Sequence, residues 1–474
     1  MKLKISNIMI LTISLILLFS TSQVVLTTMG QFAENGESVN TISRVVVFSA
    51  DAFRYDYFNI TDLPAIEWLI GQGVKADYCV PSNPSLTAVN HVSIITGCHA
   101  ENHGVLGNTF YDWVDNKTYS LFADPSDPYR DTNTGLHLLQ AKPSVLHAEE
   151  NEITTAVIAW PYVDEGTLYG GEKPTYVYDY DYMGAQNLRT NQGIVNTVLN
   201  LINNYPDVGI YYAWLPAVDQ AGHYSGFDTL GMINAMTNVD IAIGSFLIQL
   251  ENADMLKDTV IILTSDHGMA AVHDDDYFLE DKPFFINATT QTGLEPIIAV
   301  DAPLCYLYFA DETNTTKVEE FAGYLEGEDG IAAVYVNEEN SQIELGNTQG
   351  RGINISVWLE PGRSRNFGSS YVGMHGYLNT NTDMNGIFIA AGPGIQQNET
   401  IGGMNTIDVA PTVLSLLDID TGFTCDGTPL AVIKSPRTEA FSYPVDKTSF
   451  SYLSFMFVII SIPIINRIRR KRMQ

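Results

Sequence analysis

The sequence predicts an α/β protein: a doubly wound, mainly parallel sheet, with a small inserted α+β cap subdomain and terminal hydrophobic segments. Three observations carry this. Continuous apolar, β-branched runs recur as RVVVFSA (44–50), IYYAWL (210–215), VIILTS (260–265) and GIFIAA (386–391). Such runs lack polar alternation, which suits strands covered on both faces in a parallel sheet. Helical stretches such as 193–204 and 230–250 lie between them, the alternation that builds a doubly wound fold. Finally, the runs stop at chemically capable residues: Asp51, then Asp219, then Asp266 and His267. Ligands of such sheets bind beyond the carboxyl ends of the strands. Taken singly, an Asp after a strand is more often a turn or helix-capping residue.

In chain order, Lys2 and Lys4 precede a charge-free stretch from Ile5 to Ala33. Residues 1–33 read as a secretory signal peptide or an uncleaved signal anchor. Residues 40–440 form the expected catalytic domain, with an insertion at about 271–372 in which PLCYLYFA, TTKVEEFAGYLEG and GIAAVYVNEE read strand–helix–strand. A polar tether leads to SFSYLSFMFVIISIPIIN at 449–466, followed by the basic tail 467–474 with Arg467, Arg469, Arg470, Lys471 and Arg472. That order is a short transmembrane helix with a cytoplasmic basic flank. The catalytic domain is then expected outside the cell membrane.

Composition narrows the function. The 24 Lys+Arg against 55 Asp+Glu give a net charge of −31, which excludes bulk nucleic-acid binding through a positive surface. A small anionic substrate is not excluded, because bound metal overrides the global field locally. Six sequons, at Asn59, Asn116, Asn287, Asn314, Asn354 and Asn398, are compatible with exposure outside the cell. Cys79, Cys98, Cys305 and Cys425 allow two disulfides in three connectivities, with Cys79–Cys98 favoured by proximity. The absence of a CxxC pair argues against a thiolate zinc site.

Seven hard and borderline ligands form a candidate set: Asp51, Thr87, Asp219, His223, Asp266, His267 and His375. Asp219 and His223 stand four apart in DQAGH, close enough to converge from a loop or a first helical turn. Mixed carboxylate and imidazole ligands suit zinc, with manganese or iron as alternatives. Two ions about 3.5–4 Å apart clamp both oxygens of a phosphoryl transfer. Thr87 lies where a loop feeds an apolar helical stretch in PSNPSLTAVNHVSIITG. A hydroxyl there is placed to act as a nucleophile beside unpaired N–H groups. From local sequence alone, simple helix capping by Thr87 or Ser85 is the plainer reading.

Several segments together resemble the nucleotide pyrophosphatase/phosphodiesterase family of the alkaline phosphatase superfamily, as a membrane-anchored member. FSADAFRYDYF resembles its opening strand and D-G-F-R segment, with Ala52 in place of Gly. PSNPSLTAVNHVSIITGCHAENHGVLGNTFYD is similar to its nucleophile segment, WPYVDEG to its W-P-G segment and VDQAGHYSG to its D-S-S-G-H-x-x-G segment. TSDHGM matches directly, and MHGYLNTNTDMNGIFIAAGPG is similar to its H-G-Y to G-P-G segment. The pieces fall in family order across roughly residues 44–420.

The resemblance implies an alkaline phosphatase-like fold and a two-zinc enzyme. One zinc goes to Asp219, His223 and His375, the other to Asp51, Thr87, Asp266 and His267. Thr87 becomes the nucleophile, carrying a phosphoryl or nucleotidyl group that water then removes. Asn108, 21 residues after Thr87, matches the family Asn that hydrogen-bonds a nonbridging phosphate oxygen. Two departures bear on substrate. Ala88 stands where the family has a Phe that packs a nucleobase, and no basic residue adjoins Thr87 to grip a second phosphate charge. The second favours a diester over a monoester. Tyr176, Tyr178, Tyr180 and Tyr182 fall where the family places pocket aromatics. Their alternation equally suits one face of an exposed strand.

The expected function is therefore an extracytoplasmic, zinc-dependent hydrolase of phosphodiester or phosphoanhydride bonds, acting on a small nucleotide-type or lipid-headgroup substrate. The alternatives are a phosphoglycerol or phosphoethanolamine transferase or a phosphonate hydrolase on the same site, or a noncatalytic surface binding protein on this fold.

Overall fold

The centre of the molecule is an eight-stranded sheet. Its strands are β1 (Arg44–Ala50), β2 (Gly73–Ala76), β3 (Thr154–Ile158), β4 (Tyr176–Tyr178), β5 (Val208–Leu215), β6 (Thr259–Thr264), β7 (Phe388–Ala391) and β8 (Glu399–Ile401), in the spatial order β8-β2-β7-β6-β1-β5-β3-β4. This computed structural model describes residues 42–120, 139–163, 169–178, 190–274, 277–310, 314–346, 351–365, 371–419, 422–430 and 441–445. The expected terminal segments 1–33, 449–466 and 467–474 lie outside the described residues.

The central strands are buried along their whole length: every residue of β1, β5 and β6 is inaccessible to solvent or nearly so. Their continuous apolar sequence has this cause, because helices cover both faces. One layer holds the helices Pro64–Gln72, Asn191–Asn204 and Leu230–Asn252. The other holds Thr87–Thr96, Ser144–Glu150 and Val409–Leu416. The helix Leu230–Asn252 is long and apolar enough to cross a membrane by composition alone. It is instead a core helix. Thr229 caps it by accepting from the Met232 N–H, and Met232, Met236, Val239, Ile243, Phe246 and Leu250 form its buried face at three- and four-residue spacing. Phe246 packs edge-on against Phe48 of β1 at 5.1 Å.

One expectation needs correcting. The strand within GIFIAA is not parallel to its neighbours: β7 pairs antiparallel with both β6 and β2. Among the described strands of this sheet it alone runs backwards. Its carboxyl end, Gly392-Pro393-Gly394, therefore lies at the opposite edge from the ligand-bearing ends of β1, β5 and β6. An apolar run encodes two-sided burial, not direction.

The insertion is a second, smaller sheet. Ala270–Ala271 pairs with Gly373–Met374 and closes its neck. Beyond the neck, four antiparallel strands run in the order Ile297–Asp301, Leu304–Tyr308, Ile355–Leu359, Ile331–Val336. The helices Pro283–Thr292 and Thr315–Gly323 complete a separate apolar cluster with Phe285, Leu307, Val318, Phe321 and Val357. The strand–helix–strand expected from sequence corresponds to Leu304–Tyr308, Thr315–Gly323 and Ile331–Val336.

The favoured Cys79–Cys98 disulfide is absent, and all four cysteines are free thiols. Cys79 is buried in a strand pairing with Met404. Residues 425–427 lie instead against Gly97, whose carbonyl accepts from the Asp426 and Gly427 N–H groups. Of the sequons, Asn59, Asn116, Asn287 and Asn398 are exposed. Asn354 is half-buried and its Oδ1 accepts from the Phe309 N–H, so its amide is already engaged.

Candidate metal centre

All seven candidate ligands gather at the carboxyl ends of the central strands. Asp51 directly follows β1. Asp219 and His223 sit on the helix Ala217–Ser225 that follows β5, one turn apart on one face. Asp266 and His267 follow β6. His375 returns from the neck of the insertion, where Gly376 turns at φ +98° with Leu86 close behind it, a conformation that favours glycine.

These side chains form two adjoining groups that could each hold a metal ion: Asp219, His223 and His375, and Asp51, Asp266 and His267, with ligand atoms within 4.8 Å of one another in each. The rings of His267 and His375 stack at 3.8 Å and join the groups. Thr87 Oγ1 lies 3.3 Å from His267 Nε2. Thr87 is the first residue of its helix and does not cap it: the capping position is Leu86, with no side-chain bond, and Ser85 donates instead to the Tyr377 carbonyl.

The donor chemistry fits a cation. His223 Nδ1 bonds the Gly373 carbonyl at 2.9 Å, His267 Nδ1 the Gly268 carbonyl at 2.8 Å and His375 Nδ1 the Ser85 carbonyl at 3.1 Å. A carbonyl only accepts, so each Nδ1 carries a proton, and in its neutral form each ring presents its lone pair at Nε2. Those Nε2 atoms face carboxylates: His223 and His375 face Asp219 Oδ1 at 3.3 and 3.5 Å, and His267 faces Asp266 Oδ2 at 3.1 Å and Asp51 Oδ1 at 3.6 Å. Asp51 Oδ1, Asp219 Oδ1 and Asp266 Oδ2 are buried with no hydrogen-bond partner. Carboxylate oxygens gathered against imidazole Nε2 atoms in this way are stabilised by a positive charge between them, carried by protons on the rings or by a bound cation.

The electrostatics agree. Burial, then the charges of Asp266 and Asp219, raises Asp51 well above the usual carboxylate range. Burial also opposes ionisation of Asp219 and Asp266. The imidazoles of His223, His375 and His267 nevertheless hold Asp219 at about 2, and those of His267 and His91 hold Asp266 well below its ordinary value. Against burial, Asp219 raises His223 and Asp266 raises His267. Burial and the adjacent His267 push His375 down to about 3.

Residues not singled out from sequence orient the ligands. The Trp214 indole donates to Asp51 Oδ2 at 2.7 Å, and the Ala52 N–H to Asp266 Oδ1 at 3.1 Å. Each bond leaves the other oxygen for a ligand role. His91, one turn after Thr87, bonds the Thr87 carbonyl at 2.9 Å and lies 3.3 Å from Asp266 Oδ2. Its fourth-residue spacing from Thr87 was the only sequence signal. Tyr371 packs on His223 at 5.2 Å and on the exposed Tyr224 at 5.5 Å, forming an aromatic ledge beside the first group. Asn108 is buried, and its Oδ1 accepts from the Ala88 N–H at 2.9 Å, which leaves its NH2 as the donor. Of the tyrosine run, Tyr176 lies in edge strand β4 and packs on Tyr205 at 4.7 Å. Its level with Tyr211, through Ala156, is about 13 Å short of Leu215 at the carboxyl end of β5, so Tyr176 belongs to the strand surface rather than the pocket. Tyr178 is level with Ala213, two residues short of that end. Tyr180 and Tyr182 lie outside the described residues.

A three-layer α/β/α domain with paired carboxylate–imidazole groups and a helix-initiating hydroxyl at its strand ends, together with the family match that follows, defines a class, the alkaline phosphatase superfamily. The family model for type I phosphodiesterase / nucleotide pyrophosphatase matches residues 45–377, well over half of the chain. The chain belongs to that family. It is 30% identical over 292 residues to an uncharacterized pyrophosphatase/phosphodiesterase of Schizosaccharomyces pombe, covering 61% of this chain and 57% of the relative. It is 26% identical over 390 residues to a bis(5'-adenosyl)-triphosphatase of Mus musculus, covering 81% and 80%. With ectonucleotide pyrophosphatase/phosphodiesterase family member 3 of Bos taurus it shares 27% over 391 residues, spanning 79% of this chain but 42% of that protein. Murine ectonucleotide pyrophosphatase/phosphodiesterase 5 superposes with a TM-score of 0.68 at 23% identity, over 81% of this chain and 97% of that one. An inactive variant of that murine protein in complex with AMP superposes equally well, at 22% identity. At these identities the likeness carries the fold.

Proposed function

We propose that this protein hydrolyses phosphodiester or phosphoanhydride bonds of nucleotide-type substrates through a covalent intermediate on Thr87, with two zinc ions held by Asp219, His223 and His375 and by Asp51, Thr87, Asp266 and His267. The observation that carries this reading is the Thr87 hydroxyl at a helix start, 3.3 Å from His267 Nε2 and beside two groups of unpartnered carboxylate oxygens. Bound zinc would supply positive charge that favours the Thr87 alkoxide and offsets charge on the transferring phosphoryl oxygens.

The chain's own residues do the rest. Thr87 Oγ attacks phosphorus and the bond to the leaving oxygen breaks, giving a phosphothreonine diester and a released alcohol or phosphate. Water then cleaves the Thr87–phosphorus bond, releasing the monoester and restoring the hydroxyl. The Asn108 NH2, fixed because its carbonyl oxygen is tied to Ala88, donates to a nonbridging oxygen where charge develops. The absence of a basic side chain next to Thr87 supports diesters over monoesters. The names of the relatives, a bis(5'-adenosyl)-triphosphatase and a protein crystallised with AMP, support a nucleotide-type substrate. Ala88 in place of an aromatic leaves the base to be held by other residues, and the Tyr224–Tyr371 ledge is the candidate surface. The terminal apolar segments support a domain displayed outside a membrane with the C-terminal tail in the cytoplasm.

The test compares the p-nitrophenyl ester of thymidine 5'-phosphate with p-nitrophenyl phosphate, using the full chain, with chelator and with zinc restored. Strong, chelator-sensitive diester cleavage is expected, and Thr87→Ala should lower it at least about 1000-fold while the remaining ligands keep metal bound. Monoester preference would overturn the substrate assignment, and chelator-insensitive turnover would overturn the metal assignment. Transfer to an added alcohol in preference to water would favour a transferase on the same site.

A further inference from the structure

The inserted sheet grips the loop that carries Asn108. Asp301 ends the strand Ile297–Asp301, and its Oδ2 accepts the Thr109 N–H at 3.0 Å. The N–H of Asn108 also contributes to the electrostatics of this carboxyl, favouring its ionised form. The loop lies directly on it: a Cβ added to Gly107 would stand 2.7 Å from Asp301 Oδ2. On either side, the Tyr306 hydroxyl donates to the Leu106 carbonyl at 2.6 Å, and the Tyr308 hydroxyl accepts from the Tyr111 N–H at 3.3 Å. Asp301, Tyr306 and Tyr308 are all buried. The backbone of Asn108 is thus set from the insertion, while its side-chain oxygen is set by the nucleophile helix.

We propose that Asp301 is a positioning residue for phosphate recognition: by holding the backbone at Thr109, with Gly107 packed on the same carboxylate, it aims the intervening Asn108 amide at the substrate and couples the inserted sheet to the catalytic centre. The proposal rests on the role given to Asn108 above. A two-sided fixation of this kind matters because an oxyanion donor displaced by a fraction of an ångström loses much of its effect.

The carboxyl's protonation supports the geometry. Burial pushes Asp301 up to about 7, with the Thr109 and Asn108 N–H groups pulling the other way. Among the described residues no cation pairs with it. The titratable groups facing it are Tyr162, Cys305, Tyr306 and Tyr308, and burial raises all four, so they stay neutral near pH 7. An ionised carboxylate accepts the Thr109 N–H better than a carboxylic acid does. The hold on Asn108 therefore tightens as pH rises through about 7. The stability sign is opposite. The folded carboxyl binds its proton more tightly than an unfolded one, so its contribution to stability falls as pH rises from the unfolded value towards 7.

The test is a double-mutant cycle on kcat/KM for the p-nitrophenyl ester of thymidine 5'-phosphate, with the metal content of each full-length variant measured. Asn108→Ala is expected to cost about 100-fold and Asp301→Asn about 10-fold, with metal content unchanged. The double variant should be no worse than Asn108→Ala alone, within about 2-fold, because Asp301 acts through Asn108. With zinc held saturating across the range, the wild-type pH profile should show a limb near pH 7 that Asp301→Asn lacks. Wild-type activity in Asp301→Asn, or a cost that multiplies fully with that of Asn108→Ala, would overturn the positioning role alone. A harmless Asn108→Ala would instead overturn the phosphate-recognition reading on which it rests. Should Asp301→Asn not fold, Gly107→Ala presses a methyl group against the same carboxylate. It should show the same non-additivity, and full multiplicativity would again overturn the role.

Discussion

The Trp214 indole decides which oxygen of Asp51 is free. Its N–H occupies Oδ2 and leaves Oδ1 towards His267. Trp214→Phe should therefore weaken metal binding about 10- to 100-fold, as loss of an orienting partner does, and excess zinc should restore activity. Metal titration followed by assay checks this, and an unchanged affinity would contradict it. Ala52 is a second case. It is buried at φ +56°, in the left-handed region, while its N–H holds Asp266. Ala52→Gly relieves about 1–2 kcal/mol of left-handed strain against about 0.5–1 kcal/mol of added chain entropy. A melting temperature equal to or slightly above wild type is expected. The third prediction concerns pH. Asp219 and Asp266 raise His223 and His267, so metal must displace protons until pH passes their folded values, above the unperturbed 6.5. The difference in melting temperature between zinc-loaded and chelated protein should grow as pH rises through this range, and a flat difference would count against these ligands. Asp51, Asp266 and His267 were legible because each stands just beyond an apolar strand, whereas Thr87 and His375 gained their roles from the family order of the motifs. Trp214, His91 and Tyr371 were not legible, because what they do depends on contacts across the chain rather than on local spacing.

Elements supply the precision that single residues lack. The helix Thr87–Thr96 is buried along its whole length, so the nucleophile stands on a rigid support rather than a mobile loop. In its first turn the Ala88 N–H is tied to Asn108. A similar device holds the helix Pro64–Gln72. Asp240, from the long core helix, accepts the Ala65 and Ile66 N–H groups at 2.9 Å each. Asp240→Ala leaves two buried donors unsatisfied and should destabilise the domain by about 1–3 kcal/mol without changing metal content. Denaturant titration and metal analysis together check both halves. The strands and the principal helices were readable from sequence because burial writes a pattern of 3.6 or a continuous apolar run. The reversed direction of β7 and the position of Tyr176 were not. Both depend on which neighbour a strand pairs with, and that is set by the whole sheet.

Across the whole molecule, a net charge of −31 surrounds a site that gathers three carboxylates. Metal binding should therefore stabilise the fold as well as complete the site. At 100 times the dissociation constant the gain is about 2.7 kcal/mol, a shift of several degrees that chelator should reverse in a thermal scan. The insertion is part of this unity. Its neck delivers His375, and its sheet holds the Asn108 loop through Asp301, Tyr306 and Tyr308. The central claim is that phosphorus is passed to Thr87 before it is passed to water. Stereochemistry at phosphorus tests this most directly. A single diastereomer of a phosphorothioate diester is hydrolysed in oxygen-18 water, and the configuration of the product is determined. Two successive in-line displacements predict overall retention. Inversion would show that water attacks the substrate directly and would contradict the role assigned to Thr87.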